Sequence, residues 1–129
     1  MGLWDGGRVL GLGVDLVELD RVRGSLARWG DRLVAKLMDP PEAALLPTPE
    51  AERVRAVALA IAAKEAASKA IGTGWSRGVR WRDVVREGDS VRLLGRAAEA
   101  AAWLGSSGRC RLRLEVRGNL VLGEVRLLS

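Results

Sequence analysis

Ala62-Ala63-Lys64-Glu65-Ala66-Ala67-Ser68-Lys69-Ala70-Ile71-Gly72-Thr73-Gly74 is the stretch on which the fold turns. It ends an alanine-rich run that begins after Pro49 and meets almost no helix breaker before Gly72. Alanine is the strongest helix former and glycine the usual residue just past a helix end, so the run predicts one long helix closed by a glycine loop. At about 100° per residue, Val54, Val57, Ala58 and Ile61 fall on one face, and Glu65, Ser68 and Lys69 continue it. A carboxylate on an apolar helix face needs a partner. Two are on offer: Lys69, one turn on, in an ordinary helical pair, or a metal ion.

Working outward, Asp39-Pro40-Pro41-Glu42 and Pro47-Thr48-Pro49-Glu50 each carry proline and an acid where a helix begins, with Asp39 as the first N-cap. Residues 31–38 are helical, and residues 19–29 form a helix with Asp20 as N-cap, Arg21, Arg23 and Arg28 as a basic face and Gly30 as its stop. Before it, Val9-Leu10-Gly11-Leu12-Gly13-Val14-Asp15-Leu16-Val17 reads as a buried strand whose glycines admit another backbone. Asp15 interrupts it and, like Glu65, needs a partner. Gly11-x-Gly13 lacks the third glycine and the βαβ context of a dinucleotide fingerprint.

Downstream, residues 75–78 are a loop, residues 79–86 are rich in β-formers, Glu87-Gly88-Asp89-Ser90 is a hairpin turn and residues 91–94 return as a strand. A short helix over 96–104 and the Gly105-Ser106-Ser107-Gly108 loop precede strands 110–117 and 120–128, joined at Gly118-Asn119. The order predicts an α+β fold, a small antiparallel sheet packed on a long central helix, in a single domain over 1–129.

The absence of Phe, Tyr and His from the 129 residues leaves Leu, Val, Ala and the five Trp to build the core, and it excludes His-based triads and His-ligated zinc. A net charge of +5 favours an acidic partner. A basic nucleic-acid-binding domain would interleave stacking aromatics with its basic residues; the tryptophans here are scattered, so nucleic acid is not the expected partner. No apolar run approaches the ~18 residues of a membrane span, and the first residues lack the apolar core of a signal peptide, so no membrane association is expected. The one cysteine, Cys110, is read as a small strand residue in a reducing, cytoplasmic setting.

Taken together, Gly11-Leu12-Gly13-Val14-Asp15 and Lys64-Glu65-Ala66-Ala67-Ser68-Lys69 resemble the paired motifs of the 4′-phosphopantetheinyl transferases. The chain's size and its Gly-Thr-Gly look like the small holo-acyl-carrier-protein synthase branch, and the resemblance extends from Gly11 to Leu128. It implies transfer of 4′-phosphopantetheine from coenzyme A to a serine of an apo acyl carrier protein, Mg²⁺-dependent, with release of adenosine 3′,5′-bisphosphate. It also implies a homotrimer with sites between subunits. A small chain with near-continuous apolar strands, which has more surface to bury than one core covers, points the same way.

By this resemblance Asp15 and Glu65 match the metal ligands, and Lys69 matches the phosphate-facing lysine that completes the catalytic set. The residue types suit the reaction, because Mg²⁺ is commonly held by a few carboxylates and substrate phosphates. Ser68 and the backbone of Gly72, Thr73 and Gly74 are expected to bind the cofactor's phosphates. Lys64 is either a further phosphate contact or a solvated lysine. Arg21 matches the docking arginine for the acidic carrier protein, of fatty-acid or polyketide type, with Arg23 and Arg28 as additions or ordinary surface charges. The base that deprotonates the acceptor serine is left open between Glu65 and a water.

The chain also departs from the pattern. Ala60 and Ile61 replace the usual Arg and aromatic, Arg113-Leu114-Glu115-Val116 stands where many members carry Ser-x-Ser/Thr-His, and the hairpin lacks Gly-Lys-Pro. These changes bear on coenzyme A affinity and adenine placement. They define the alternative, a catalytically impaired member that serves as a carrier-protein-binding interaction module.

Overall fold

The computed structural model describes residues 7–129; residues 1–6, where the lack of a signal peptide was read, and Trp4 among the tryptophans, lie outside them. Strand β1 (Val9–Glu18) leads into helices α1 (Leu19–Trp29), α2 (Asp31–Leu37) and α3 (Pro40–Ala43), then the long α4 (Glu50–Ala70). A 3-10 turn (Trp81–Asp83), the hairpin β2 (Val84–Glu87) and β3 (Ser90–Leu93), α5 (Gly95–Trp103), β4 (Cys110–Arg117) and β5 (Leu120–Leu128) follow. The five strands form one antiparallel sheet in the order β1-β5-β4-β3-β2. The α+β expectation therefore holds.

Small residues set the distance between sheet and central helix. Cβ atoms built on Gly11, Gly13 and Gly123 would stand 2.0, 1.8 and 2.7 Å from the carbonyl oxygens of Ala70, Ala66 and Ala62. Those alanines are four residues apart and so share one side of α4. Gly13 and Gly11 lie on the edge strand, and Gly123 is the register partner of Asp15 on β5. The close backbone approach read from β1 is thus real, but the strand is buried on one face only: Leu12, Val14 and Leu16 alternate outward and are exposed.

Two clusters fill the interior and α4 belongs to both. Ala63, Ala66, Ala67 and Ala70 pack with Val84, Val91, Ala97, Ala101, Val125 and Leu127, while Val57 and Ala58 pack with Val22, Val34, Leu37 and Val121. The helix is accordingly buried nearly all round rather than along one stripe, and Ile61, placed on the apolar face, is only half-buried. Among the described residues the tryptophans reach only the margin of the core, where Trp75 and Trp81 pack against the two clusters. Trp75 and Trp81 are half-buried, Trp29 is exposed and Trp103 is 88 % exposed. Helix–sheet contact through glycine and alanine leaves no gap wide enough for an indole.

Three boundaries differ locally. Helix α1 is capped at Glu18, and Asp20 sits inside its first turn, where its backbone N–H donates to Asn119 Oδ1 at 3.0 Å. The β-rich run 79–86 becomes a strand only from Val84, because the Asp83 carboxylate accepts from the Arg80 backbone and guanidinium and winds the chain into the 3-10 turn. Strands β3 and β4 meet only at Ser90 and Arg111, so the β2–β3 hairpin diverges from the rest of the sheet.

Candidate active site

The glycine seam carries β1 across α4 and brings Asp15 to the side of the helix that bears Lys69. Lys69 Nζ donates to Asp15 Oδ1 at 2.9 Å and to the Val14 carbonyl at 3.1 Å. Residues of two segments far apart in sequence are thereby joined, and the pair differs from the Glu65–Lys69 pair that helix spacing alone offers. Glu65 lies one turn before Lys69 and takes a different donor, the Trp75 indole, with Nε1 at 3.2 Å from Oε2.

The electrostatics reflect burial first and the neighbouring charges second. Burial pushes the Glu65 carboxyl above its ordinary range; the Trp75 hydrogen bond opposes this, the Asp15 charge adds to it and the Lys69 charge reduces it. Asp15 and Glu65 each spend one oxygen on an internal donor, so each keeps another for an outside partner. A hard divalent cation suits this donor set, since its charge would offset the burial and, secondarily, the Asp15 charge that raise Glu65. Among the described residues no group of three metal-binding side chains occurs. Two carboxylates are compatible with Mg²⁺, which keeps several water or phosphate ligands.

Two expected phosphate contacts, Lys64 and Ser68, are engaged elsewhere. Lys64 is fully buried, and its ammonium donates to Glu42 Oε1 at 3.0 Å, to the Trp81 carbonyl at 3.2 Å and to the Val84 carbonyl. It is neither a phosphate contact nor a solvated lysine. Burial lowers its pKa and the Glu42 charge raises it, with a net lowering. The reason it faces away is the helix itself: neighbours in sequence point about 100° apart, so Lys64 cannot share the side of Glu65. Ser68 is buried and its hydroxyl donates to the Glu65 carbonyl at 2.7 Å.

The Gly-Thr-Gly loop is likewise used as a helix stop. With φ of 82° and 55°, Gly72 and Gly74 turn back so that their N–H groups donate to the Lys69 and Ser68 carbonyls at 3.0 Å. These are the carbonyls a helix end leaves without intrahelical donors. The Thr73 hydroxyl donates to the Gly74 carbonyl at 2.9 Å. Beyond Gly72 and Thr73 opens a cleft of about 540 Å³, lined also by Ile71, Val79, Arg77, Arg96 and Trp103.

The basic residues of α1 lie apart from the acids, on the surface. Arg21 is 84 % exposed with Glu18 at 4.0 Å, Arg23 pairs with Asp20 at 2.6 Å, and the Arg28 guanidinium lies 5.1 Å from the Trp29 ring centre. Arg32, which the sequence reading passed over, covers the same ring at 5.8 Å. Trp75 was also missed. Its place straight after Gly-Thr-Gly marked a loop, and nothing in the local pattern pairs an indole with a carboxylate ten residues earlier.

A family model described as the 4′-phosphopantetheinyl transferase superfamily matches residues 11–122. The holo-[acyl-carrier-protein] synthase of Solibacter usitatus is 43% identical over 102 residues, covering 75% of this chain and 81% of that protein. The crystal structure of the holo-[acyl-carrier-protein] synthase of Neisseria meningitidis superposes with a TM-score of 0.78 at 26% identity, covering 95% of this chain and 100% of that one. The Helicobacter pylori enzyme of the same name, in complex with coenzyme A, superposes with a TM-score of 0.71 at 18% identity, covering 92% of this chain and 99% of that one.

Proposed function

Since the chain belongs to the 4′-phosphopantetheinyl transferase superfamily, we propose that it transfers 4′-phosphopantetheine from coenzyme A to a serine of an apo acyl carrier protein. The observation that supports this reading is the Asp15–Lys69 ion pair across β1 and α4, one helical turn from Glu65. The serine oxygen attacks the phosphorus next to pantetheine, the bond to the bridging pyrophosphate oxygen breaks, and adenosine 3′,5′-bisphosphate leaves. Asp15 and Glu65 would hold a Mg²⁺, which would supply charge neutralisation at the pyrophosphate. Lys69, half-exposed beside Asp15, offers its remaining N–H to a phosphate oxygen. The acceptor of the serine proton is Glu65 or a water beside it, the two candidates the sequence leaves open.

The rest of the reading follows from surfaces. Exposed arginines on α1, with Arg21 foremost, suit an acidic carrier protein. The outward row Leu12, Val14 and Leu16, with Leu16 62 % exposed, is an apolar strand face wanting cover, and we read it as the contact of a homotrimer. The whole chain acts as one transferase domain, in the cytoplasm, where the buried thiol of Cys110 stays reduced.

Mass spectrometry of an apo carrier protein incubated with the chain, coenzyme A and Mg²⁺ tests the proposal: the carrier gains one phosphopantetheine mass. The engagement of Lys64, Ser68 and the glycine amides within the fold favours a second reading, the impaired member that only docks. That reading predicts carrier-protein binding with no mass gain.

A further inference from the structure

Lys64 and Glu65 are adjacent on α4, and a path of contacts leaves the first and returns to the second. The Lys64 ammonium, fully buried, has three N–H groups and three acceptors: Glu42 from α3, the Trp81 carbonyl and the Val84 carbonyl. It therefore ties the start of the 3-10 turn and of β2 to the middle of α4. That tether holds the Trp81 backbone, and the Trp81 ring stacks on Trp75 with centroids 4.0 Å apart and planes inclined by 21°. Trp75 Nε1–H closes the path on Glu65 Oε2. The loop that carries Trp75 is itself braced, with the Ser76 hydroxyl donating to the Thr73 carbonyl at 2.6 Å and the Val79 N–H to the Ser76 carbonyl at 3.2 Å.

We infer that Trp75 is a positioning residue, whose indole N–H holds one oxygen of Glu65 and turns the other toward Asp15 and Lys69, with the Trp81 stack and the buried Lys64 tether keeping the indole in place. This rests on reading Glu65 as a carboxylate of the active site. Left to itself, Glu65 would pair with Lys69 one turn on, the ordinary helical arrangement. In the structure Lys69 pairs with Asp15 instead and Glu65 with the indole. The two carboxylates thus have separate donors, cationic Lys69 for Asp15 and the neutral indole for Glu65. An indole suits the task because it donates without adding a charge that would compete with a cation or a phosphate.

The test has two independent arms. In wild-type protein labelled with ¹⁵N, the Trp75 indole signal is assigned through its through-space contacts to the Trp81 ring. We expect it to move in Glu65→Gln and again in wild type on addition of Mg²⁺ with adenosine 3′,5′-bisphosphate. A Trp75 signal that stays still in Glu65→Gln overturns the inference, whether or not the protein proves to be a transferase. Trp75→Phe keeps the stack and deletes the N–H. We expect kcat to fall about tenfold, the scale of one hydrogen bond to a charged group. The Mg²⁺ concentration for half-maximal rate should rise, with KM for coenzyme A unchanged and the melting temperature near that of wild type. Wild-type kcat and Mg²⁺ dependence in Trp75→Phe overturn the inference; should that variant not fold, the indole signal decides alone. Absence of transfer by wild-type protein counts against the proposed reaction and leaves the indole result standing.

Discussion

Replacing Gly13 by alanine tests the contact on which fold and site both depend. The new Cβ would stand 1.8 Å from the Ala66 carbonyl oxygen and 2.8 Å from the Ala70 nitrogen. Ordinary contact begins at 3.4 Å, so β1 and α4 must part by about 1.6 Å. Both colliding atoms belong to helix backbone, and no rotamer change relieves them. We expect a loss at or above the roughly 3 kcal/mol upper end of overpacking costs, a large part of the 5–15 kcal/mol or so that holds a domain folded. The same displacement would lengthen the 2.9 Å Asp15–Lys69 contact beyond hydrogen-bonding range, so activity should fall even where the variant remains folded. The control is Gly24→Ala in the interior of α1, where a Cβ meets nothing within 4 Å. It should stabilise by about 0.5–1 kcal/mol through helix propensity and reduced unfolded-state freedom. Urea unfolding, with unchanged slopes and shifted midpoints, measures both. A wild-type midpoint for Gly13→Ala, or equal losses in the two variants, would refute the reasoning.

Other expectations follow from single features. Glu65→Gln should stabilise the protein at neutral pH, because the folded state raises this carboxyl's pKa. An acid raised in the folded state costs stability once pH exceeds its ordinary value of 4.5, so the gain should vanish below that pH; an equal gain at pH 4 and pH 7 in denaturant titrations would contradict it. Arg21→Glu, a reversal on an exposed site, should slow carrier-protein association most at low salt while changing stability by no more than about 0.5 kcal/mol. Lys69→Ala should weaken coenzyme A binding and leave carrier docking, so surface-binding kinetics in which Lys69→Ala abolishes docking and Arg21→Glu spares it would reverse the assignment. If the chain is the homotrimer proposed above, light scattering should give a trimer mass that Leu16→Glu lowers to monomer; a monomeric wild type would count against the trimer, and a variant that stays trimeric against the β1 face as its contact.

The periodic and capped parts of the chain were legible before any coordinates. Strands β4 and β5 begin and end where alternation and the Gly118-Asn119 turn placed them, and α4 starts after Pro49 as its proline and acid announce. That Asp15 needs a partner was accessible too, since it lies within an apolar segment, but its union with Lys69 was not: helix spacing offers Lys69 to Glu65 instead. What failed was side-chain direction. Lys64 and Lys69 read alike in sequence, yet one is sealed in the core and the other is half-exposed beside Asp15. Five residues apart on a helix is roughly 140° of rotation, and which side meets the 3-10 turn is a tertiary fact. The glycine loop misled for a related reason: backbone amides that look available for phosphate are first claimed by the helix carbonyls behind them.

The location of the acids follows from the same seam. A side chain at position 11 or 13 would push β1 off the helix, and Asp15, the next residue inward on that face, would reach toward Lys69 across a gap its short side chain does not span. Glycine costs conformational entropy in a strand, and the cost is set here against a backbone separation small enough for Asp15 to reach Lys69. Alanine at 62, 66 and 70 completes the contact from the helix side. Small residues that supply little apolar area of their own thus persist along the line where they fix the distance between Asp15 and Lys69. The larger apolar residues, Val57, Val84, Val121 and Leu127, lie in the two clusters to either side, where burial rather than spacing is the requirement.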